Sequence, residues 1–182
     1  MISFNSSFTS PQLVKIISEE RIKRKVSSLA KKISEDYKKE GIKKILVVGV
    51  LRGSFIFLSD LVRKLKVPCE IDFIALSSYE GEISSGIVRQ LLDLRENPEG
   101  KDILIVEDIV DTGYTLRYLK ESILARKPRS VRVCVLLDKS VCRKVDTKID
   151  YNGFVIPDKF VVGYGLDYNG LYRNLPYVAV KK

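Results

Sequence analysis

The chain has 182 residues, enough for one domain with a real core, and its 30% charged and 45% hydrophobic content is globular rather than disordered. Its 32 basic and 23 acidic side chains leave a formal charge of +9, which suits an anionic ligand, a polyphosphate or a nucleic acid, without choosing between them. The absence of histidine excludes a histidine base, a histidine-held metal and Ser-His-Asp or Cys-His chemistry. Three cysteines with no CxxC pair argue against a disulfide framework or a zinc site.

The amino terminus, MISFNSSFTS, lacks a basic segment leading into a long apolar one, and the longest apolar runs fall short of a membrane span. A reducing, cytoplasmic setting is the expectation. Residues 12–17 (QLVKII) suit a short strand. Ser18 can cap a helix whose first turn carries Glu19 and Glu20. Ile22, Val26, Leu29, Ile33 and Tyr37 then recur at steps of three and four, giving one apolar stripe, with Lys and Arg on a solvated outer face. Gly41 is a natural stop. Residues 45–51 (ILVVGVL) read as a strand covered on both faces. Arg52-Gly53-Ser54 follows, then a helical pattern through Phe55, Leu58, Leu61, Val62 and Leu65, ended by Pro68.

Residues 71–76 suit a further strand. The polar, glycine-containing stretch 77–86 is long for a hairpin before the next strand, 87–92. It is either a loose connection or a lid that closes to exclude water. After the turn Asn97-Pro98-Glu99-Gly100 comes the stretch that organises the chain, KDILIVEDIVDTGYTLRYL at 101–119. Ile103 to Val106 is a short β-branched strand that turns acidic at Glu107 and Asp108, with a third carboxylate at Asp111. Thr112, Gly113 and Thr115 form a small-residue loop, and Leu116, Leu119 and Ile123 carry a helical spacing. A strand, small loop and helix of this kind offers amides and a helix dipole to an anion at the carboxyl end of a sheet. The carboxylates beside it can hold sugar hydroxyls, ligate a divalent cation or take a proton. The plain alternative is a strand-to-helix turn with an acidic edge, since aspartates and threonines are ordinary turn and capping residues. Lys127-Pro128 closes the helix, 130–137 (SVRVCVLL) is the next strand, with Cys134 in its core, and Asp138-Lys139 stands at its end. Apolar residues flank Pro157-Asp158-Lys159 as in a hairpin corner, and 177–180 suits a final strand.

The pattern from Val106 to Thr115 resembles the phosphoribosyl-diphosphate (PRPP) motif of the type I phosphoribosyltransferases, in the form of their hypoxanthine/guanine branch. Three further segments match in family order: LRGS at 51–54, the block 153–168 (GFVIPDKFVVGYGLDY), and LYRNLPYV at 171–178. The resemblance implies an α/β fold, a mainly parallel twisted sheet flanked by helices. It implies one domain over 1–182, with a core at about 18–150 and a small hood from 1–17 and 151–182 that carries the base-binding segment. By the same match, Arg52 and Gly53 contact diphosphate through their backbone, where the peptide ahead of the glycine is often cis, and Arg173 binds it too. Ser78 and Tyr79 close over it from the lid. Glu107 and Asp108 hold the ribose hydroxyls or metal, and Asp111, Thr112, Gly113, Tyr114 and Thr115 hold the 5′-phosphate. Asp111 takes the proton from purine N7. Lys139 meets the 6-oxo oxygen, and a fixed ammonium there favours a 6-oxo over a 6-amino purine. Lys159, Phe160 and Val161 belong to the base site, Phe160 by stacking, and Asp167, with Glu107 and Asp108, reaches a magnesium ion. Tyr114 departs from the family, which commonly has a smaller or basic residue there, and its ring should point outward.

The implied activity is transfer of phosphoribose from PRPP to N9 of hypoxanthine or guanine, in a homodimer or homotetramer without nucleic acid or membrane partners. The competing class is a nucleotide-sensing RNA-binding regulator on the same fold. It resembles the pyrimidine attenuator branch, which lacks the VGYGLD block found here. A xanthine-preferring transferase stays open; Lys139 argues against adenine.

Overall fold

The β-branched runs at 45–51, 103–106 and 130–137 become three adjacent strands at the centre of a sheet. A computed structural model describes residues 12–78 and 88–181 of the chain. The main sheet has six strands in the order β4-β3-β2-β5-β6-β7. These are β2 (Ile45–Leu51), β3 (Cys69–Ser78), β4 (Val88–Leu92), β5 (Asp102–Val110), β6 (Ser130–Asp138) and β7 (Tyr151–Val155). All neighbours are parallel except β4, which runs antiparallel to β3. Two helices, α1 (Glu19–Lys39) and α2 (Phe55–Val62), cover one face, and α3 (Tyr114–Leu124) covers the other.

The strands read as continuously apolar because both faces are buried. Val47, Leu104 and Val106 pack toward Val26, Leu29, Ile33 and Phe57. Their sequence neighbours Leu46, Val48, Ile103 and Ile105 point the other way, against Leu116, Leu119 and Ile123. All five stripe residues of α1 are buried. Each such fully buried aliphatic side chain contributes about 2 kcal/mol relative to leaving it in water. Ser18 Oγ accepts from the Arg21 amide at 3.4 Å, Glu19 and Glu20 sit in the first turn, and Gly41 leaves the helix at φ +70°. A second, three-stranded antiparallel sheet, ordered β1-β9-β8, joins β1 (Leu13–Ile17), β9 (Val178–Lys181) and β8 (Val161–Val162).

Two expectations are revised. The strand expected to end at Val106 runs on to Val110, because pairing with β6 continues through Glu107↔Val135, Ile109↔Leu137 and Val110↔Asp138. Glu107 and Asp108 therefore stand on a rigid strand rather than in a loop. The second helix ends at Val62, before Leu65 and Pro68, and Phe55 is exposed at its start. The plain alternative at Pro157-Asp158-Lys159, a hairpin corner, is not what forms: β7 pairs with β6 and β8 with β9, so the chain crosses there from one sheet to the other. By its pairing with β6, β7 belongs to the main sheet. Among the described residues no helix is long and apolar enough to cross a membrane.

Candidate active site

Three strand ends and the second sheet converge at the carboxyl edge of the main sheet. β2 ends in Arg52-Gly53, β5 in Glu107–Asp111 and β6 in Asp138-Lys139. Across from them lies the segment 160–173. Between them is a cavity of about 630 Å³ lined by Arg52, Gly53, Asp108, Asp111, Lys139 and, from the far side, Phe160, Val161, Asp167 and Arg173. A second cavity of about 230 Å³ adjoins it, lined by Glu107, Thr112, Gly113, Thr115 and again Asp111. Asp111 is thus shared by both.

The smaller cavity is built for an anion. Gly113, at φ +90°, caps α3 without any side-chain hydrogen bond, so the amides of the first turn are uncapped. The loop is held from outside. Thr112 O accepts the amides of Lys144 at 2.9 Å and Val145 at 3.3 Å, and Asp111 O accepts Arg143 Nη1 at 3.1 Å. Arg143 is in turn paired with the buried Asp138. A Cβ at Gly113 would meet Arg143 Cδ at 3.0 Å and Val145 O at 3.1 Å. Tyr114 lies exposed at the first position of α3, outside both linings.

The larger cavity gathers charge. Lys139, only 8% exposed, donates to Asp111 Oδ2 at 3.2 Å and to Asp158 Oδ1 at 3.4 Å. Asp108 is buried against Gly53, where a Cβ would lie 1.7 Å from Asp108 Oδ2. Burial pushes its carboxyl up to about 6; amide hydrogen bonds from Asp108 and Ile109 and the charge of Arg173 pull the other way. Burial also raises Glu107 well above the usual carboxylate range, with the charge of Asp108 adding to it. Its Oε2 is buried without a hydrogen-bond partner among the described residues. Arg173 pairs with Asp167 and donates to Gly165 O at 2.6 Å, while Asp167 Oδ2 accepts the Gly170 amide at 2.7 Å. The Leu51–Arg52 peptide is cis, one bond earlier than the peptide directly ahead of Gly53. Phe160 is 53% exposed, edge-on to Tyr168 with ring centroids 5.7 Å apart, and so presents a free ring face.

This arrangement is that of an enzyme handling a phosphorylated sugar, and the phosphoribosyl transferase domain family matches residues 14–169. The chain belongs to that family. It is 49% identical over 165 residues to a hypoxanthine phosphoribosyltransferase of Salmonella typhimurium, spanning 90% of this chain and 92% of that one. It is 46% identical over 171 residues to a hypoxanthine-guanine phosphoribosyltransferase of Dictyostelium discoideum, spanning 92% and 94%. A crystal structure of a hypoxanthine-guanine phosphoribosyltransferase from Bacillus anthracis matches with a TM-score of 0.89 at 43% identity, over 95% of this chain and all of that one. The fold is the type I phosphoribosyltransferase fold, and the chain is a phosphoribosyltransferase of purine salvage, a pentosyl transferase.

Of the residues expected in this phosphoribosyltransferase site, Lys159 is exposed and lines neither cavity. Tyr79 lies outside the described residues, as does most of the 77–86 stretch; of Ser78 only the backbone, at the end of β3, is described. The sequence did not single out Asp158 as a partner of Lys139, nor Arg143 as the clamp on the phosphate loop. Nor did it mark Tyr164, whose hydroxyl donates to Asp60 Oδ2 at 2.7 Å and ties the base segment to α2. Each of these depends on a pairing between distant segments that no local spacing encodes.

Proposed function

We propose that this phosphoribosyltransferase moves the 5-phosphoribosyl group from PRPP to N9 of hypoxanthine or guanine, releasing diphosphate. The observation that carries this is the pair of adjoining cavities sharing Asp111. One offers uncapped helix amides to a 5′-phosphate, and the other sets a lysine, an arginine pair and an aromatic face around a base and diphosphate.

In this reading the purine lies on Phe160, with its edge toward the Val161 backbone and its 6-oxo oxygen toward Lys139. Lys159 serves the base from the rim. Glu107 and Asp108 hold the ribose hydroxyls from the end of β5. The backbone of Arg52 and Gly53, with Arg173, takes the diphosphate, and Ser78 and Tyr79 close over it. N9 attacks C1′ as the bond from C1′ to the diphosphate oxygen breaks, and the N7 proton passes to Asp111. Positive charge builds on the sugar meanwhile, so water must be kept from C1′.

Magnesium is a hard cation that takes oxygen ligands and is commonly held by one or two carboxylates together with substrate phosphates. Among the described residues no three acidic side chains gather into a metal site, so the protein would supply only part of its shell. Asp108 and Asp167 line one cavity and repel each other, and the Glu107 oxygen lacks a partner. Glu107, Asp108 and Asp167 are the residues that would hold the ion. When bound, it supplies charge neutralisation at the diphosphate. The assignment further includes a hood built on the three-stranded sheet, a dimeric or tetrameric assembly, and a cytoplasmic setting.

The test is spectroscopic. The protein is incubated with PRPP, magnesium and each of hypoxanthine, guanine, xanthine and adenine. Nucleoside monophosphate should form with hypoxanthine or guanine and not with adenine. Turnover of adenine alone, or of none of the four, overturns the proposal.

A further inference from the structure

A concavity of about 950 Å³ lies away from the carboxyl edge of the sheet. It is bounded by one face of α1 and by the connector from α2 to β3. Ile42 and Lys43 precede β2, and Val67 and Pro68 precede β3, so the groove opens at the amino ends of these parallel strands. Along β2, at about 3.3 Å per residue, that is roughly 20 Å from Arg52.

Its lining is strongly cationic. Six lysine and arginine side chains face a single carboxylate, Glu35. Glu35 pairs with Lys31 at 3.9 Å, and Arg63 pairs with Asp60. Lys38, Lys43, Lys64 and Lys66 have no acidic partner among the described residues. Their backbone is fixed. The Lys66 amide donates to the buried Ser34 Oγ at 2.9 Å, which itself donates to Ala30 O at 2.6 Å, and Lys38 O accepts the Gly41 amide at 3.1 Å. The floor is apolar, made by Ile42, Val67 and Pro68, with Ile42 and Val67 continuous with the core.

Ordinary surface lysines spread over a convex face and are solvated separately. Lys38, Lys43, Lys64 and Lys66 are exposed, and gathered around one concavity they give it a positive potential that a multiply charged anion offsets most strongly. A single phosphate engages one or two ammoniums; four call for an oligophosphate. The apolar floor adds a seat for a flat, uncharged group, and the volume is that of a small-molecule site. A nucleic-acid strand is the poorer fit, since the cations ring a pocket and no aromatic side chain lines it for base stacking. We propose that this groove binds a nucleoside triphosphate, with its phosphates on Lys38, Lys43, Lys64 and Lys66 and its heterocycle on Ile42, Val67 and Pro68. The groove shares no residue with the transferase site, so its occupancy does not depend on the activity assigned there.

Lysine acetylation, read residue by residue by mass spectrometry, separates the two sites. With ATP as the probe and IMP saturating the active site, labelling of the four groove lysines should fall several-fold. Adenosine should leave it unchanged, and tripolyphosphate should protect less than ATP. The variant Lys38→Glu/Lys64→Glu should lose protection at Lys43 and Lys66 yet keep the basal transferase rate. Unchanged labelling with ATP overturns the proposal. So does protection as strong with tripolyphosphate as with ATP, protection by an RNA oligonucleotide alone, or equal protection of Lys120 and Lys148 outside the groove.

Discussion

Lys139 Nζ stands 3.2 Å from Asp111 Oδ2, so the ammonium assigned to the purine oxygen and the carboxylate assigned to the purine proton hold each other before a base arrives. Asp158 Oδ1, at 3.4 Å, is a second acceptor for the same ammonium. In the proposed reading, a 6-oxo purine entering the cavity would give Lys139 a new acceptor and leave Asp111 free to accept a proton. Arrival of the base thereby releases the group that the reaction needs, and Asp158 keeps the buried ammonium from losing every carboxylate partner during the exchange.

Replacing Asp111 by Asn keeps the shape and removes the proton acceptor. Turnover should fall by a factor on the order of 10² to 10⁴, the usual range for a general base. IMP affinity should change far less, since in the proposed reading the phosphate is held by amides. Steady-state kinetics and an IMP titration decide this. Equal losses in turnover and in IMP binding would remove Asp111 from the base role.

Lys139→Gln removes a charged donor aimed at the 6-oxo oxygen. A hydrogen bond to a charged group is worth about 1.5–3 kcal/mol, so kcat/KM for hypoxanthine should drop roughly 10- to 100-fold. Discrimination against adenine should narrow, because the glutamine amide can donate or accept. Competition between the two bases for the variant measures it. Unaltered selectivity would mean that another group reads position 6.

Much of this was legible in the sequence because it is local. The α1 stripe, the extent of β2 and the Thr112–Thr115 turn each follow from spacing within one segment. The over-extended β5 was not legible. Glu107 and Asp108 look like loop residues by type, and only their pairing with Val135 and its neighbours keeps them in a strand. The crossing at Pro157-Asp158-Lys159 could not be told from a hairpin corner by its residues alone, for a similar reason: two short apolar runs around a turn look alike whether or not they pair with each other. The clamp of Arg143 and Asp138 on the phosphate loop involves residues more than twenty positions from Gly113, beyond any periodicity.

Gly53 is a glycine because Asp108 occupies the space where a Cβ would be, at 1.7 Å from Oδ2. The carbonyl of Gly53 also closes on Gly165, where a Cβ would come within 2.0 Å of it. Gly53→Ala should therefore destabilise the protein by about 1–3 kcal/mol, the usual cost of overpacking, and abolish transfer. Adding Asp108→Ala should recover most of the stability and none of the activity. Urea unfolding of the two single variants and the double variant gives the coupling. Additive losses would show that the two residues do not compete for the same space.

Asp108 carries a cost in stability that depends on pH. Its carboxyl is pushed up to about 6 in the fold, from an ordinary 3.8. Below the ordinary value it is protonated in both folded and unfolded chains and the cost vanishes. Between the two values the folded chain holds more protons, so stability falls as pH rises, and above about 6 the full cost is present. At 1.36 kcal/mol per pH unit, that cost is on the order of 3 kcal/mol. Asp108→Asn, which keeps an oxygen for the Ile109 amide, should thus stabilise the free protein by about 1–3 kcal/mol at pH 8 while impairing transfer. The gain should shrink toward zero near pH 4. Glu107 adds to the gain in the same direction, because the charge of Asp108 helps to raise its carboxyl and Asp108→Asn removes that charge. Unfolding midpoints at the two pH values measure the gain. The same gain at both would trace the stabilisation to packing rather than to a buried charge.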